Sequence, residues 1–271
     1  MSHAVAASVA SSCQNAHLFS GCGFPAPSIQ DFYFTPLFKV GSVGFGKPGL
    51  LLLLSTVIVI AFFFAAFWRP KLVPRGAQNL GEIGVLFVRD QILRPQLGKQ
   101  GDKWLPFLVA MFFFIWVNNI FGIIPVLYFP AMAKYGYPVA LAGMVWLIYM
   151  FLGFKKQGFG YLRTLLVPSG SPWWILWLLV PIEFFSNVLV RPFTLSVRLF
   201  ANMLAGHVLL LVFALATWYL LSLSVGILYS ATSFFVLVLV TGLEVLVQAL
   251  QAFIFTTLTA TYISGAYEAA H

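Results

Sequence analysis

The sequence predicts an all-α polytopic membrane protein with five or six apolar helices, the last two long, tilted and antiparallel, and a further helix lying on the cytoplasmic surface. Three observations predict it. Of 271 residues, 61% are hydrophobic and 8% charged, where soluble domains carry about 25% charged residues. Mean hydropathy is +0.95, which excludes a soluble globular domain. The 15 Lys and Arg fall mainly between apolar runs, so the net charge of +8 reads as membrane topology and no nucleic-acid partner is expected. Aromatics at 17% suit a lipid-facing surface with interfacial anchors such as Trp173 and Trp174.

Residues 1–48 read as an extracytoplasmic tail without the basic and apolar regions of a cleaved signal peptide. Its two cysteines, Cys13 and Cys22, are too few for a disulfide framework or a metal site. A single tail disulfide and two idle thiols are equal readings. No cofactor is expected.

A bilayer core of about 30 Å takes about 20 helical residues. The first span is 49–68, uncharged and closed by Arg69-Pro70-Lys71. Residues 69–103 form a basic loop in which Leu80, Ile83, Phe87 and Val88 share a helical face opposite Glu82, Arg89 and Asp90, the pattern of a surface helix. Residues 104–154 make a transmembrane hairpin, with spans from Leu105 to Ile124 and from Pro138 to Phe154. The loop 155–172 adds Lys155, Lys156 and Arg163. Ten basic residues thus lie on one side, against Lys39, Lys47 and Lys134 on the other. The positive-inside rule puts the N-terminus outside, and both basic loops and the C-terminal 266–271 in the cytoplasm.

Residues 173–265 read as a long helical hairpin. Trp173 to Leu221 is mostly apolar, interrupted at Pro181, Glu183 and Arg191-Pro192 with no polar loop in the middle, and is either two spans with a turn or one tilted, kinked helix. Val225 to Ser264 is likewise too long for an upright span.

The informative residues are the ionisable groups inside these runs, because a central charge costs about 2.5–3.5 kcal/mol even on lenient insertion scales. Arg198, His207, Glu183 and Glu244 are stranded this way, with Asn202, Gln248 and Gln251 as polar neighbours. Thr241, Glu244, Gln248, Gln251 and Thr259 form one polar stripe; Asn187, Arg191, Thr194, Arg198 and Asn202 form another. Two such stripes face to face line a wet seam. With antiparallel helices and Arg198 level with Gln251, His207 lies about 13.5 Å and Glu244 about 10.5 Å toward the outside, while Glu183 lies on the cytoplasmic side. That is an acid/base pair outside a fixed cation and a carboxylate inside it, which suits proton movement by two offset half-paths. One angle opposes this picture: nine residues turn an ideal helix by about 180°, aiming His207 away from the face of Arg198.

The run from Arg191-Pro192 through Arg198, Asn202 and Gly206-His207, with Leu250-Gln251-Ala252-Phe253-Ile254-Phe255 on the next helix, closely resembles subunit a of the F-type ATP synthases. The resemblance covers most of residues 30–265, including Pro181-Ile-Glu183-Phe and Asn118-Asn119. It implies a bacterial plasma-membrane protein that partners a ring of c-subunit proteolipids, the subunit b stalk and the remainder of the synthase. It further implies that Arg198 faces the acidic side chain of each passing c subunit and blocks a direct leak. Asn202 and Gln251 would orient that guanidinium, His207 with Glu244 would relay protons in the outer half-channel, and Glu183 would serve the cytoplasmic one. Gln248 is as readily an interhelical hydrogen-bonding residue as a channel-lining one.

Two rival classes fit less well. A proton-coupled secondary transporter would show internal repeats, and none is visible. A haem-carrying subunit needs paired membrane histidines, and only His207 is embedded. The sequence contains no nucleotide-binding glycine loop, so the chain is not expected to make or hydrolyse ATP by itself.

Overall fold

The computed structural model describes residues 38–40, 43–124, 131–167, 173–221 and 226–268. Cys13, Cys22 and most of the predicted tail lie outside them. The first described feature is a two-stranded antiparallel ribbon, β1 (Phe38–Val40) and β2 (Val43–Phe45), pairing Phe38 with Phe45 and Val40 with Val43. Among the described residues it is the one departure from helix and turn.

Nine α-helices follow among the described residues: α1 (Lys47–Phe67), α2 (Ala77–Phe87), α3 (Arg94–Leu97), α4 (Leu105–Ile120), α5 (Gly136–Gln157), α6 (Gly160–Leu166), α7 (Leu176–Phe184), α8 (Arg191–Tyr219) and α9 (Gly226–Glu268). Pro48 opens α1 and Pro106 opens α4, positions where the missing N–H would have had no intrahelical partner anyway. Gly158 ends α5 at φ +59°, in the left-handed region that favours glycine.

Among the described residues five helical stretches are long and apolar enough to cross a membrane: Lys47–Phe67, Gly101–Ile120, Gly136–Gln157, Trp173–Tyr219 and Gly226–Tyr267. The fourth settles the count at five. No turn interrupts Trp173–Tyr219; a 3-10 turn, α7, a π-helical stretch (Phe185–Val190) and α8 join into 47 continuous residues. At about 1.5 Å per residue each of the last two stretches is roughly twice the thickness of a bilayer core, so neither can cross it upright.

The π-helical stretch has a local cause. Two such stretches occur, Val88–Leu93 and Phe185–Val190, and each runs into an Arg-Pro step, Arg94-Pro95 and Arg191-Pro192. A proline ring inside a helix clashes with the carbonyl four residues back and offers no N–H. A wider π turn relieves the clash. Accordingly, the Arg94 N–H donates to the Arg89 carbonyl and the Arg191 N–H to the Ser186 carbonyl, each five residues back.

The described residues fall into two compact units, one built from Pro36–Met203 with Val247–His271, the other centred on Leu204–Leu246. In the first, α2 packs with α1 and α4. Gly81 lies against Ala66 and Gly84 against the Phe113 ring, approaches that larger side chains would obstruct. The apolar face predicted for α2 divides: Leu80, Ile83 and Phe87 are exposed, whereas Val88 is fully buried. Val88 stands about 80° round an ideal helix from Leu80, on the side of Gly81 and Gly84. Beyond it Arg89 donates to Asp90 at 3.0 Å, and this hydrogen bond holds the Asp90 carboxyl below its ordinary range.

In the second unit α8 and α9 run antiparallel. The Ser230 hydroxyl donates to the Thr217 carbonyl at 2.8 Å and the Ser233 hydroxyl to the Phe213 carbonyl at 3.2 Å. Each residue forward on one helix therefore pairs with one residue back on the other.

Candidate functional site

The polar residues singled out in the long helices occupy three settings. The first is the antiparallel hairpin of Leu204–Leu246. Here the Glu244 carboxylate lies directly over Gly206, in space that a Cβ at 206 would occupy. His207, the next residue along, and Glu244 are both buried, at 6% and 7% exposure. A glycine is what lets a carboxylate approach the backbone of the facing helix so closely. The sequence signal was available, a glycine beside the embedded histidine, but its contact required the helix pairing to be known.

The second setting holds Arg198, Asn202, Gln248 and Gln251. Arg198 is exposed on α8, although its neighbours Leu195, Leu199 and Met203 on the same helix are buried. It makes no hydrogen bond or ion pair among the described residues. Gln248 and Gln251 are buried at 2% and 5% exposure, and Asn119 of α4 donates from Nδ2 to the Gln248 carbonyl at 3.2 Å. One residue earlier, Asn118 donates to the Ser55 hydroxyl at 2.7 Å and ties α4 to α1. Several polar atoms here are buried with no protein partner among the described residues: Asn118 Oδ1, Asn119 Oδ1, Asn202 Nδ2 and Gln251 Nε2. Buried polar atoms are normally satisfied by protein or by ordered water.

The third setting surrounds Glu183. Its Oε2 accepts from Asn187 Nδ2 at 2.9 Å, and the same amide donates to the Leu165 carbonyl at the end of α6, also at 2.9 Å. The Leu165 carbonyl can only accept, which fixes the amide nitrogen on that side. The Asn187 carbonyl in turn accepts from the Tyr149 hydroxyl at 2.9 Å. In π register this carbonyl would look to the N–H five residues on, but that residue is Pro192. Tyr149 of α5 supplies the missing donor. Beyond it, the Arg191 guanidinium stands 5.4 Å from the centre of the Tyr262 ring, and Tyr149 packs on Tyr262 at 5.5 Å. Taking Arg191 and Tyr262 as level, antiparallel counting sets Arg198 near Phe255, one turn from Gln251. Sequence reasoning placed Asn187 on a polar stripe; it missed Tyr149, whose link spans 38 residues of chain.

Among the described residues no group of His, Cys, Asp and Glu could hold a metal ion.

These features define a polytopic α-helical membrane protein that keeps titratable and amide side chains within its spans. The family model described as the ATP synthase A chain matches residues 49–264. The chain is 46% identical over 259 residues to ATP synthase subunit a of Streptomyces lividans, covering 94% of this chain and 92% of that one. It is 42% identical to the subunit of Nocardioides sp. (strain ATCC BAA-499 / JS614), covering 93% and 96%. It is 41% identical to that of Pseudarthrobacter chlorophenolicus, covering 91% and 94%. The chain therefore belongs to the ATP synthase subunit a family.

Proposed function

We propose that this chain is the membrane stator of a proton-driven rotary ATP synthase, forming two offset half-channels against a ring of c-subunit proteolipids and turning proton flow into ring rotation. It assembles with the subunit b stalk and the remainder of the complex in the bacterial plasma membrane, and it does not itself bind nucleotide. The observation that carries this reading is Arg198: a guanidinium exposed on a membrane-spanning helix, without an acidic partner among the described residues. In hydrocarbon such a group is costly. A carboxylate arriving on a neighbouring chain would offset that cost, and the fixed cation would favour that carboxylate's ionised form as it passes.

The other residues take roles around it. Asn202 and Gln251 orient the guanidinium through hydrated amides, and Gln248 lines the same polar region. His207 with Glu244 passes protons on the outer side, and Glu183 passes them on the cytoplasmic side. Each charge crossing 100 mV is worth about 2.3 kcal/mol, so several protons are needed for each ATP made.

The test is ATP-driven proton pumping in inverted vesicles that carry the whole complex. Arg198→Ala should abolish pumping while the complex still assembles with its c-ring. Pumping at the unmodified rate by an assembled Arg198→Ala complex would overturn the stator reading.

A further inference from the structure

We infer that Asn187 is a positioning residue for Glu183, holding its carboxylate with one amide hydrogen while its buried Oδ1 accepts from a water that exchanges protons with that carboxylate. The inference rests on the proposed role of Glu183 in the cytoplasmic half-path.

The geometry leaves Asn187 little freedom. It is 3% exposed. One amide hydrogen is committed to the Leu165 carbonyl and the other to Glu183 Oε2. The side chain therefore cannot rotate without abandoning a helix-terminal carbonyl that has no intrahelical partner. Its backbone is pinned as well, since Pro192 frees the Asn187 carbonyl and the Tyr149 hydroxyl takes it. A carboxylate two or more bonds from its helix backbone is ordinarily free to change rotamer. Here one of its oxygens is fastened to a side chain that is itself fastened at two points.

The remaining atom is the informative one. Asn187 Oδ1 is buried and has no protein partner among the described residues. With both amide hydrogens spent, this oxygen can only accept, and water is the donor we assign to it. The amide thus joins one open acceptor to the carboxylate through a single side chain, and the inferred water sits at that acceptor. In the proton step the water takes a proton from one side as it passes one on, relaying it between Glu183 and the solvent of the half-path, and Asn187 neither gains nor loses a proton. Among the described residues the other titratable or charged groups around this site are Tyr149 of α5, Tyr161 of α6, Arg191 one turn along, and Tyr262 of α9. Arg191 is turned toward the Tyr262 ring, and Asn187 is the residue bonded to the Glu183 carboxylate.

The experiment measures the pH dependence of ATP-driven proton pumping in vesicles holding the whole complex. Asn187→Leu keeps the branched outline of the side chain, at a somewhat larger volume, and removes both functions of the amide. It should shift the pH profile of pumping, because the Glu183 carboxylate loses the amide hydrogen bonded to its Oε2. Asn187→Gln, which retains donor and acceptor, should restore at least half of that shift. In a Glu183→Gln background Asn187→Leu should move the profile no further, since the residue acts through Glu183. An unchanged profile in Asn187→Leu, or an equal shift with and without Glu183, would overturn the inference. If Asn187→Leu does not assemble, Asn187→Ser provides the same comparison with the donor shortened, and an unchanged profile there is equally decisive against it. Arg198→Ala runs in parallel: pumping by that variant would indict the stator reading, whereas its loss together with an unmoved Asn187→Leu profile would indict only the role of Asn187.

Discussion

A glycine decides where one carboxylate can sit. The Glu244 carboxylate occupies the space over Gly206, so Gly206→Ala must either push the carboxylate aside or part the two helices. Overpacking of this kind costs about 1–3 kcal/mol. Gly206→Ala should therefore lower the denaturation midpoint of the detergent-solubilised complex and reduce pumping, and Gly206→Val should do more of both. Exchange of His207 and Glu244 should be milder than loss of either, since a relay needs one base and one acid but not a fixed order. Equal damage from the exchange and from His207→Ala would argue against a relay pair. The ionisable residues were legible in the sequence because a charge in an apolar run stands out against its neighbours. Gly206 was not legible in the same way, since a glycine in a helix has many uses and only the facing chain selects one.

At the scale of the element, the Arg-Pro step is the unit that shapes the fourth span. Pro192 removes the N–H that the Asn187 carbonyl would use in π register, and the Tyr149 hydroxyl replaces it from another helix. Tyr149→Phe leaves that buried carbonyl unmet, a loss worth about 1–3 kcal/mol. Pro192→Ala returns a backbone donor to the same neighbourhood. The two changes should therefore be less than additive, with Pro192→Ala sparing part of the Tyr149→Phe loss in a double-mutant cycle read by denaturant unfolding in detergent. Strict additivity would mean that the carbonyl does not depend on Pro192. The sequence offered two readings for Trp173–Leu221, a turn or one long helix, because proline is compatible with both. What it could not display was the donor 38 residues away that makes the unbroken helix affordable. The apolar face read over 80–88 divides for a related reason: Val88 turns toward the glycine face of α2, where the facing helices supply its burial.

For the whole molecule, the decisive quantity is the distribution of basic residues along the chain. Seven lie in residues 69–103 and three in residues 155–172, and the positive-inside reading puts Lys39, Lys47 and Lys134 on the opposite side. The bias acts during insertion, through short loops close to the span ends, and every one of these loops is short. Single cysteines placed at Lys99 and at Lys134, with Cys13 and Cys22 changed to Ser, should react oppositely with a membrane-impermeant maleimide. Lys134→Cys should be labelled from outside in intact cells, and Lys99→Cys only after the membrane is opened or inverted. The same loops allow a second measurement on the origin of the orientation. Changing Lys155 and Lys156 to Gln lowers the inside total from ten to eight, still well above three, so labelling should be unchanged. Neutralising Arg69, Lys71, Arg75, Lys99 and Lys103 as well leaves three on each side and should produce mixed labelling. Uniform orientation in that heavily neutralised chain would show that helix pairing, such as the Ser230–Thr217 and Ser233–Phe213 contacts of the last two helices, fixes the topology without help from charge.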